Sequence, residues 1–146
     1  MALIALNSPV IKGSYAAQEK VRLSPARRLQ GRILTGAGLA LLPWLGYLAG
    51  TLPPAEAAAW VALDALEAAC LLAAGTRLLR ADPHHRAPAA AAAVLLLADA
   101  CIDMATAAPG AELATAIAMA VGAELPLAGL CALLAARPSR TSRAAN

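Results

Sequence analysis

Residues 88–107 read PAAAAAVLLLADACIDMATA, and the fold turns on how this stretch is taken. Its length suits a helix crossing about 30 Å of hydrocarbon, which needs roughly 20 residues. Yet it carries Asp99 and Asp103 in its second half. On the membrane-insertion scale a central Asp costs about 2.5–3.5 kcal/mol, whereas each Leu, Ile or Val returns about 0.3–0.6. Val94, Leu95, Leu96, Leu97 and Ile102 together return about 1.5–3 kcal/mol. That does not offset two charged aspartates. The segment must therefore enter a bilayer with help: protonated carboxyls, neighbouring helices, or water reaching the acids.

The rest of the chain supplies such neighbours. Three further apolar stretches flank it: 33–52 (ILTGAGLALLPWLGYLAGTL), 57–79 (AAAWVALDALEAACLLAAGTRLL) and 112–136 (ELATAIAMAVGAELPLAGLCALLAA). Pro or Gly marks every connection: PPAE, RADPHHRA and APGA. Such short links favour antiparallel neighbours. The 146 residues are 60% hydrophobic and only 14% charged, against about 25% charged in an ordinary soluble domain. Ala and Leu supply most of this apolar mass, and both favour helix over strand. The reading is an all-α integral membrane four-helix bundle, up-down-up-down. Its four-span domain is 32–137, between a basic, partly ordered arm at 1–31 and a basic tail at 138–146. A short helix is expected in the arm near AAQEKVRL. The opening MALIALNSPVIKGSY lacks a basic n-region and does not read as a cleaved signal peptide.

Orientation follows from the basic residues. Lys12, Lys20, Arg22, Arg27, Arg28 and Arg32 precede or begin the first span. Arg77, Arg80 and Arg86 flank the second connection, and Arg137, Arg140 and Arg143 follow the fourth span. The first and third connections have none. Excess Lys and Arg mark cytoplasmic segments, so both termini are expected in the cytoplasm and the protein in the plasma membrane. The net charge of +3 is thus accounted for by topology. Anionic lipid headgroups are the partner expected for the basic segments. No aromatic–basic pattern suggests nucleic acid. His84 and His85 read as solvated loop residues rather than metal ligands. Cys70, Cys101 and Cys131 read as small core residues, not a disulfide set.

Five of the nine acids fall within the spans: Asp64, Glu67, Asp99, Asp103 and Glu124. Glu56 and Glu112 begin helices, where a carboxylate complements the N-terminal dipole. Asp64 and Glu67 are three residues apart and share a face with Trp60, Leu71 and Gly75. Asp99 and Asp103 are four apart, on a face continuing through Ala92 and Thr106. Glu124 shares a stripe with Ile117, Ala120, Leu127 and Cys131. Counting from the outer ends at 1.5 Å per residue, Asp103 lies about 6 Å deep and Asp64 and Asp99 about 11–12 Å. Glu67 falls at about 15 Å and Glu124 at about 20 Å on the same rise. The acids form a ladder from the outer interface to just past the midplane.

No Lys, Arg or His lies at matching depth, and Arg77 is close enough to the cytoplasmic end to snorkel outward. Shared protons or a cation must then supply the missing charge. This points to a proton- or cation-binding site, with hard Mg²⁺, Ca²⁺ or Mn²⁺ best suited to all-oxygen ligands. The competing reading is a structural carboxylic-acid network with Thr106, Thr115, Tyr47 or Trp60 that fixes helix register. Two prolines bear on the choice. Pro126 frees the Gly122 carbonyl beside Glu124, as in broken-helix ion sites, and both it and Pro43 are expected to kink their helices. Gly46 and Gly50 form a GxxxG after Pro43 that would permit close packing. No HExxH, GxSxG, Walker A or GxGxxG occurs, and no intramembrane His is present for heme. Neither an enzyme nor a cofactor is expected.

PWLGYLAGTLP, WVALDALE, LLLADACIDMATA and AELPLAGLCALLA together resemble a family of small four-span actinobacterial membrane proteins of uncharacterised function. The similarity spans about residues 40–136. In that family's pattern a Trp–Val–Gly–aliphatic–Asp stretch in span 2 precedes an Asp–Ala–Trp–Phe–Asp stretch in span 3. This chain keeps Asp64, Asp99 and Asp103 but has Cys101 and Ile102 in place of the aromatics. The resemblance implies topology, not a reaction. Two functions therefore lead: a transporter-like unit, expected to be oligomeric at this size, or an accessory membrane protein whose acids meet a partner's basic residues; a membrane enzyme acting on lipids through paired carboxylates ranks third.

Overall fold

The computed structural model describes residues 23–137, and every regular element among them is helical. Helix α1 (Pro25–Thr51) starts where Ser24 accepts a hydrogen bond from the Arg27 N–H at 3.3 Å, with Pro25 in the first turn. Serine followed by proline is a strong start signal, because the hydroxyl takes an orphan N–H and proline has none to lose. The helix thus begins well before the apolar run, absorbing 25–31 from the expected arm. The expected short helix near AAQEKVRL and the tail at 138–146 lie outside the described residues, as does the Glu56 side chain.

Leu52 and Pro53 separate α1 from α2 (Pro54–Leu79). Helix α2 closes with Asp82 N–H on the Arg77 carbonyl at 2.9 Å and Ala81 N–H on the Leu78 carbonyl at 3.1 Å. This is a Schellman closure, and it puts Ala81 at φ 59°, a left-handed position that glycine usually fills. A 3₁₀ turn (Pro83–His85), capped by the Asp82 side chain, leads into α3 (Arg86–Thr106). Pro109 and Gly110, the latter at φ 109°, end that passage. The fourth passage is compound: α4 (Ala111–Met119), a π turn (Ala120–Glu124) and α5 (Leu125–Ala136). The Glu112 carboxylate accepts from the Ala108 N–H at 3.2 Å, the N-terminal role expected of it.

The four passages are long and apolar enough to cross a membrane. Their outer faces agree: Val94, Val121 and Leu133 are more than 60% exposed, and Leu29, Tyr47 and Leu66 are also open. Patches of this extent are not sustained on a monomeric soluble protein. Inside, α1 packs along α2, α2 against α3, and α3 against α5. The buried positions keep helical spacing: Gly31, Leu34 and Gly38 on α1, and Ala89, Ala92, Leu96 and Asp99 on α3.

Within a bilayer, lipid tails are as apolar as leucine, so association rests on close packing rather than water exclusion. The α1–α2 crossing shows this. A Cβ added to Gly75 would sit 2.8 Å from the Thr35 backbone nitrogen and 2.9 Å from the Gly31 carbonyl oxygen. One added to Gly31 would meet the Leu79 side chain at 2.7 Å. The two backbones touch because neither has a side chain there. Gly46 and Gly50, the expected packing motif, have nothing within 4 Å of an added Cβ. They lie off the face that α1 presents to α2, whose close contacts are made at Gly31 and Gly38 instead.

The interior is divided along its length. Leu34, Leu71, Leu78, Ala89, Cys131 and Leu134 belong to one apolar core on the side of the 80–85 connection. Toward the opposite end the buried positions turn acidic.

Candidate functional site: a buried carboxylate cluster

Asp64, Glu67, Asp99 and Glu124 are buried, at 5%, 2%, 9% and 7% exposure, and Asp103 is half-buried. They form two overlapping triads. Carboxylate oxygens of Asp64, Glu67 and Asp99 lie within 4.8 Å of one another, and so do those of Asp99, Asp103 and Glu124. Asp99 belongs to both. All five acids expected from the sequence therefore meet, drawn from α2, α3 and the π turn.

Local folding accounts for each position. Asp64 and Glu67 continue the α2 stripe that below them carries Ala68, Leu71 and Ala74. Asp99 and Asp103 extend the α3 stripe of Ala89, Ala92 and Leu96, although Thr106, expected on the same face, is exposed. Glu124 depends on the π turn. The Leu125 N–H reaches back to the Ala120 carbonyl, one residue farther than in an α-helix. Pro126 has no N–H, and its ring crowds the carbonyl four residues earlier. Widening the preceding turn accommodates it, so the expected kink takes the form of a π bulge, a feature often found at functional sites. The bulge also shifts the buried stripe. Ala120, Glu124, Ala128 and Cys131 face inward, while Ile117, expected with them, is 46% exposed and α4 buries no residue. Pro43 lies inside α1.

Within the cluster two oxygens lack partners. Glu67 Oε1 and Glu124 Oε2 are enclosed and make no hydrogen bond among the described residues. Buried polar atoms are almost always paired, and an isolated one costs about 1–3 kcal/mol or more. The threonines do not serve them, because Thr106 donates to the Ile102 carbonyl at 2.8 Å and Thr115 to the Ala111 carbonyl at 2.9 Å. Tyr47 is exposed and stacks on Trp44 with ring centroids 5.4 Å apart. No Lys, Arg or His forms a salt bridge with any of the five acids among the described residues.

A cleft of about 170 Å³ leads to the cluster, lined by Trp44, Leu48, Leu52, Trp60, Asp64, Asp99 and Asp103. The Trp44 indole interacts with the Asp64 carboxylate. Trp60 stood in the sequence reading, but the α1 wall did not. Its one available signal was the 3–4 spacing of Leu41, Leu45, Leu48 and Leu52, which carries the α1 stripe up to the cleft.

The second group of polar residues lies at the opposite end. Asp82 Oδ1 accepts from the His84 backbone N–H at 2.9 Å and contacts its Nδ1 at 2.8 Å. These contacts, led by the backbone N–H, hold the Asp82 carboxyl below its ordinary range. His85 is buried, its Nδ1 2.6 Å from the Asp82 carbonyl, which corrects the expectation of a solvated residue. Arg77 donates to the His84 carbonyl at 3.3 Å and Arg86 to that of Ala135 at 2.8 Å. This end is a structural clasp.

These features have the build of a multi-pass membrane protein: helices as the regular elements of the described residues, four passages of membrane-spanning character, and acids gathered in the interior. No family model, curated protein or solved structure matches the chain.

Proposed function

We propose that this protein binds protons or a hard cation at Asp64, Glu67, Asp99, Asp103 and Glu124, within the membrane, as a transporter-like unit. The observation that carries this reading is the pair of enclosed, unpartnered oxygens on Glu67 and Glu124 inside a five-carboxylate cluster. Buried polar atoms in a purely structural network are as a rule paired with protein groups, and neither of these has such a partner among the described residues. A bound proton or cation satisfies them and removes the charge that a bilayer penalises. Access from one end through the Trp44–Trp60 cleft supports the same reading.

In the proposed arrangement the passages alternate up and down, with both termini and the Arg77–Arg86 clasp in the cytoplasm of the plasma membrane. The cleft then opens outward. Basic residues at 12–32 and 137–143 meet anionic headgroups, and copies of the chain associate to complete a path. Asp64, Asp99 and Asp103, which also carry the resemblance to four-span actinobacterial proteins, take the central roles. The test is uptake into liposomes holding the purified protein, with protons and Mn²⁺ measured separately. Asp99→Asn and Asp103→Asn are expected to lower uptake of one of them by about tenfold or more. Equal uptake in all three proteins, or none in any, contradicts the proposal.

One observation favours a second reading. Helix α4 buries no residue and leaves Ile117 and Met119 exposed near the acidic end. A partner helix bearing Arg or Lys at the depth of Glu124 would make this an accessory protein. Crosslinking in the native membrane, followed by identification of such a helix, would support it.

A further inference from the structure

The two triads share one residue, and that sharing carries a consequence beyond simple cation binding. Ligand oxygens around Mg²⁺, Mn²⁺ or Ca²⁺ lie about 2.0–2.6 Å from the ion, so oxygens on one ion are at most about 5 Å apart. Each triad meets that limit, its oxygens lying within 4.8 Å of one another. Asp99 contributes to both, and a carboxylate has two oxygens to divide between neighbouring ions. Paired metal sites of this kind hold their ions about 3.5–4 Å apart.

Beyond the acidic cluster itself, a second observation points to ligands. Glu67 is 2% exposed with Oε1 unpartnered, and Glu124 is 7% exposed with Oε2 unpartnered. One of these two residues belongs to each triad. Charge makes the same division. Five carboxylates with no salt-bridged base among the described residues would leave three negative charges beside one divalent ion. Two divalent ions leave a single charge, which one proton removes.

We infer that the cluster is a dinuclear site for divalent hard cations, with Asp99 bridging an ion held by Asp64 and Glu67 and another held by Asp103 and Glu124. This rests on the cation form of the proposed function and adds the stoichiometry, the bridging residue and the charge class. Asp64, Asp99 and Asp103 line the cleft, whereas Glu67 and Glu124 do not. Ions therefore meet the aspartates first and the glutamates complete their shells.

The test is Mn²⁺ titration of the full chain in lipid nanodiscs, read by calorimetry and by electron paramagnetic resonance. Circular dichroism and a single size-exclusion peak confirm the fold of each variant. Wild type is expected to bind two Mn²⁺ per chain with a spin-coupled spectrum. Glu67→Gln and Glu124→Gln should each bind one, with an uncoupled spectrum, and Asp99→Asn should weaken both sites at least tenfold. His84→Ala, which removes the exposed Asp82–His84 contact, should leave the count at two. One uncoupled Mn²⁺ per wild-type chain overturns the dinuclear inference while leaving cation binding standing. Two uncoupled ions, one of them lost in His84→Ala, overturn it as well. No Mn²⁺ binding, with proton uptake still abolished by Asp99→Asn, overturns the inference and keeps the proton form of the proposed function.

Discussion

At the scale of single residues, two positions in the α2–α3 connection offer clear tests. Ala81 holds φ 59°, which costs an L-residue about 1–2 kcal/mol. Ala81→Gly is expected to raise unfolding stability by about 1 kcal/mol, after allowing for glycine's freer unfolded chain. Denaturation in mild detergent checks it, and a loss of stability contradicts the Schellman geometry. Asp82 supplies a pH test. Hydrogen bonds from His84, the backbone N–H first, lower its carboxyl below the ordinary value. A lowered folded value stabilises above the ordinary carboxylate range, and that contribution is lost as pH falls through the folded value. Wild type should therefore lose more thermal stability than Asp82→Asn between about pH 5 and pH 3. Equal losses would contradict the cap. The acids of the cluster were legible residue by residue, because Asp64, Glu67, Asp99 and Asp103 repeat at three- and four-residue spacing on two apolar helices. Burial of His85 was not legible. It depends on a 3₁₀ turn that folds the imidazole back onto the Asp82 carbonyl, and local composition reads only as loop.

Elements bring out a different kind of test, because their packing depends on pairs. Gly75 and Gly31 let α1 and α2 touch, so Gly75→Val is expected to cost about 1–3 kcal/mol through overpacking. Gly46→Val should change stability by less than about 0.5 kcal/mol, since that position has no neighbour within 4 Å. Equal effects in unfolding titrations would contradict the crossing. The sequence favoured the Gly46–Gly50 spacing because spacing is visible along one helix. Which glycine faces a partner is decided by the partner's position. Pro126 divided in the same way: a disturbance beside Glu124 was legible from the missing N–H, its resolution as a π turn was not. Pro126→Ala removes the need for that turn. It is expected to restore α-helical hydrogen bonding across 120–125, swing Glu124 away from Asp99 and Asp103, and weaken cation binding about tenfold. Thermal stability should hold or rise. Unchanged affinity with altered helical spectroscopy would detach the bulge from the site.

Across the whole molecule, the sequence displayed the number of passages and the acids within them, since both follow from long apolar runs and their interruptions. It did not display the division of the interior into an apolar core and an acidic half. That division arises because Leu34, Leu71, Leu78 and Leu134 come together from distant parts of the chain. The apolar half and its clasp hold the helices, and the acidic half is left to carry charge beneath a cleft. The central claim is that this acidic half takes up positive charge. Infrared difference spectroscopy of the nanodisc-embedded protein tests it most directly, recording carboxyl bands before and after addition of Mn²⁺ and, separately, across a pH step. The account predicts a change in buried carboxyl bands on one or both treatments, lost in Asp99→Asn and reduced in Glu67→Gln. Spectra that are unaltered by both treatments, or a change that persists in Asp99→Asn, would contradict it.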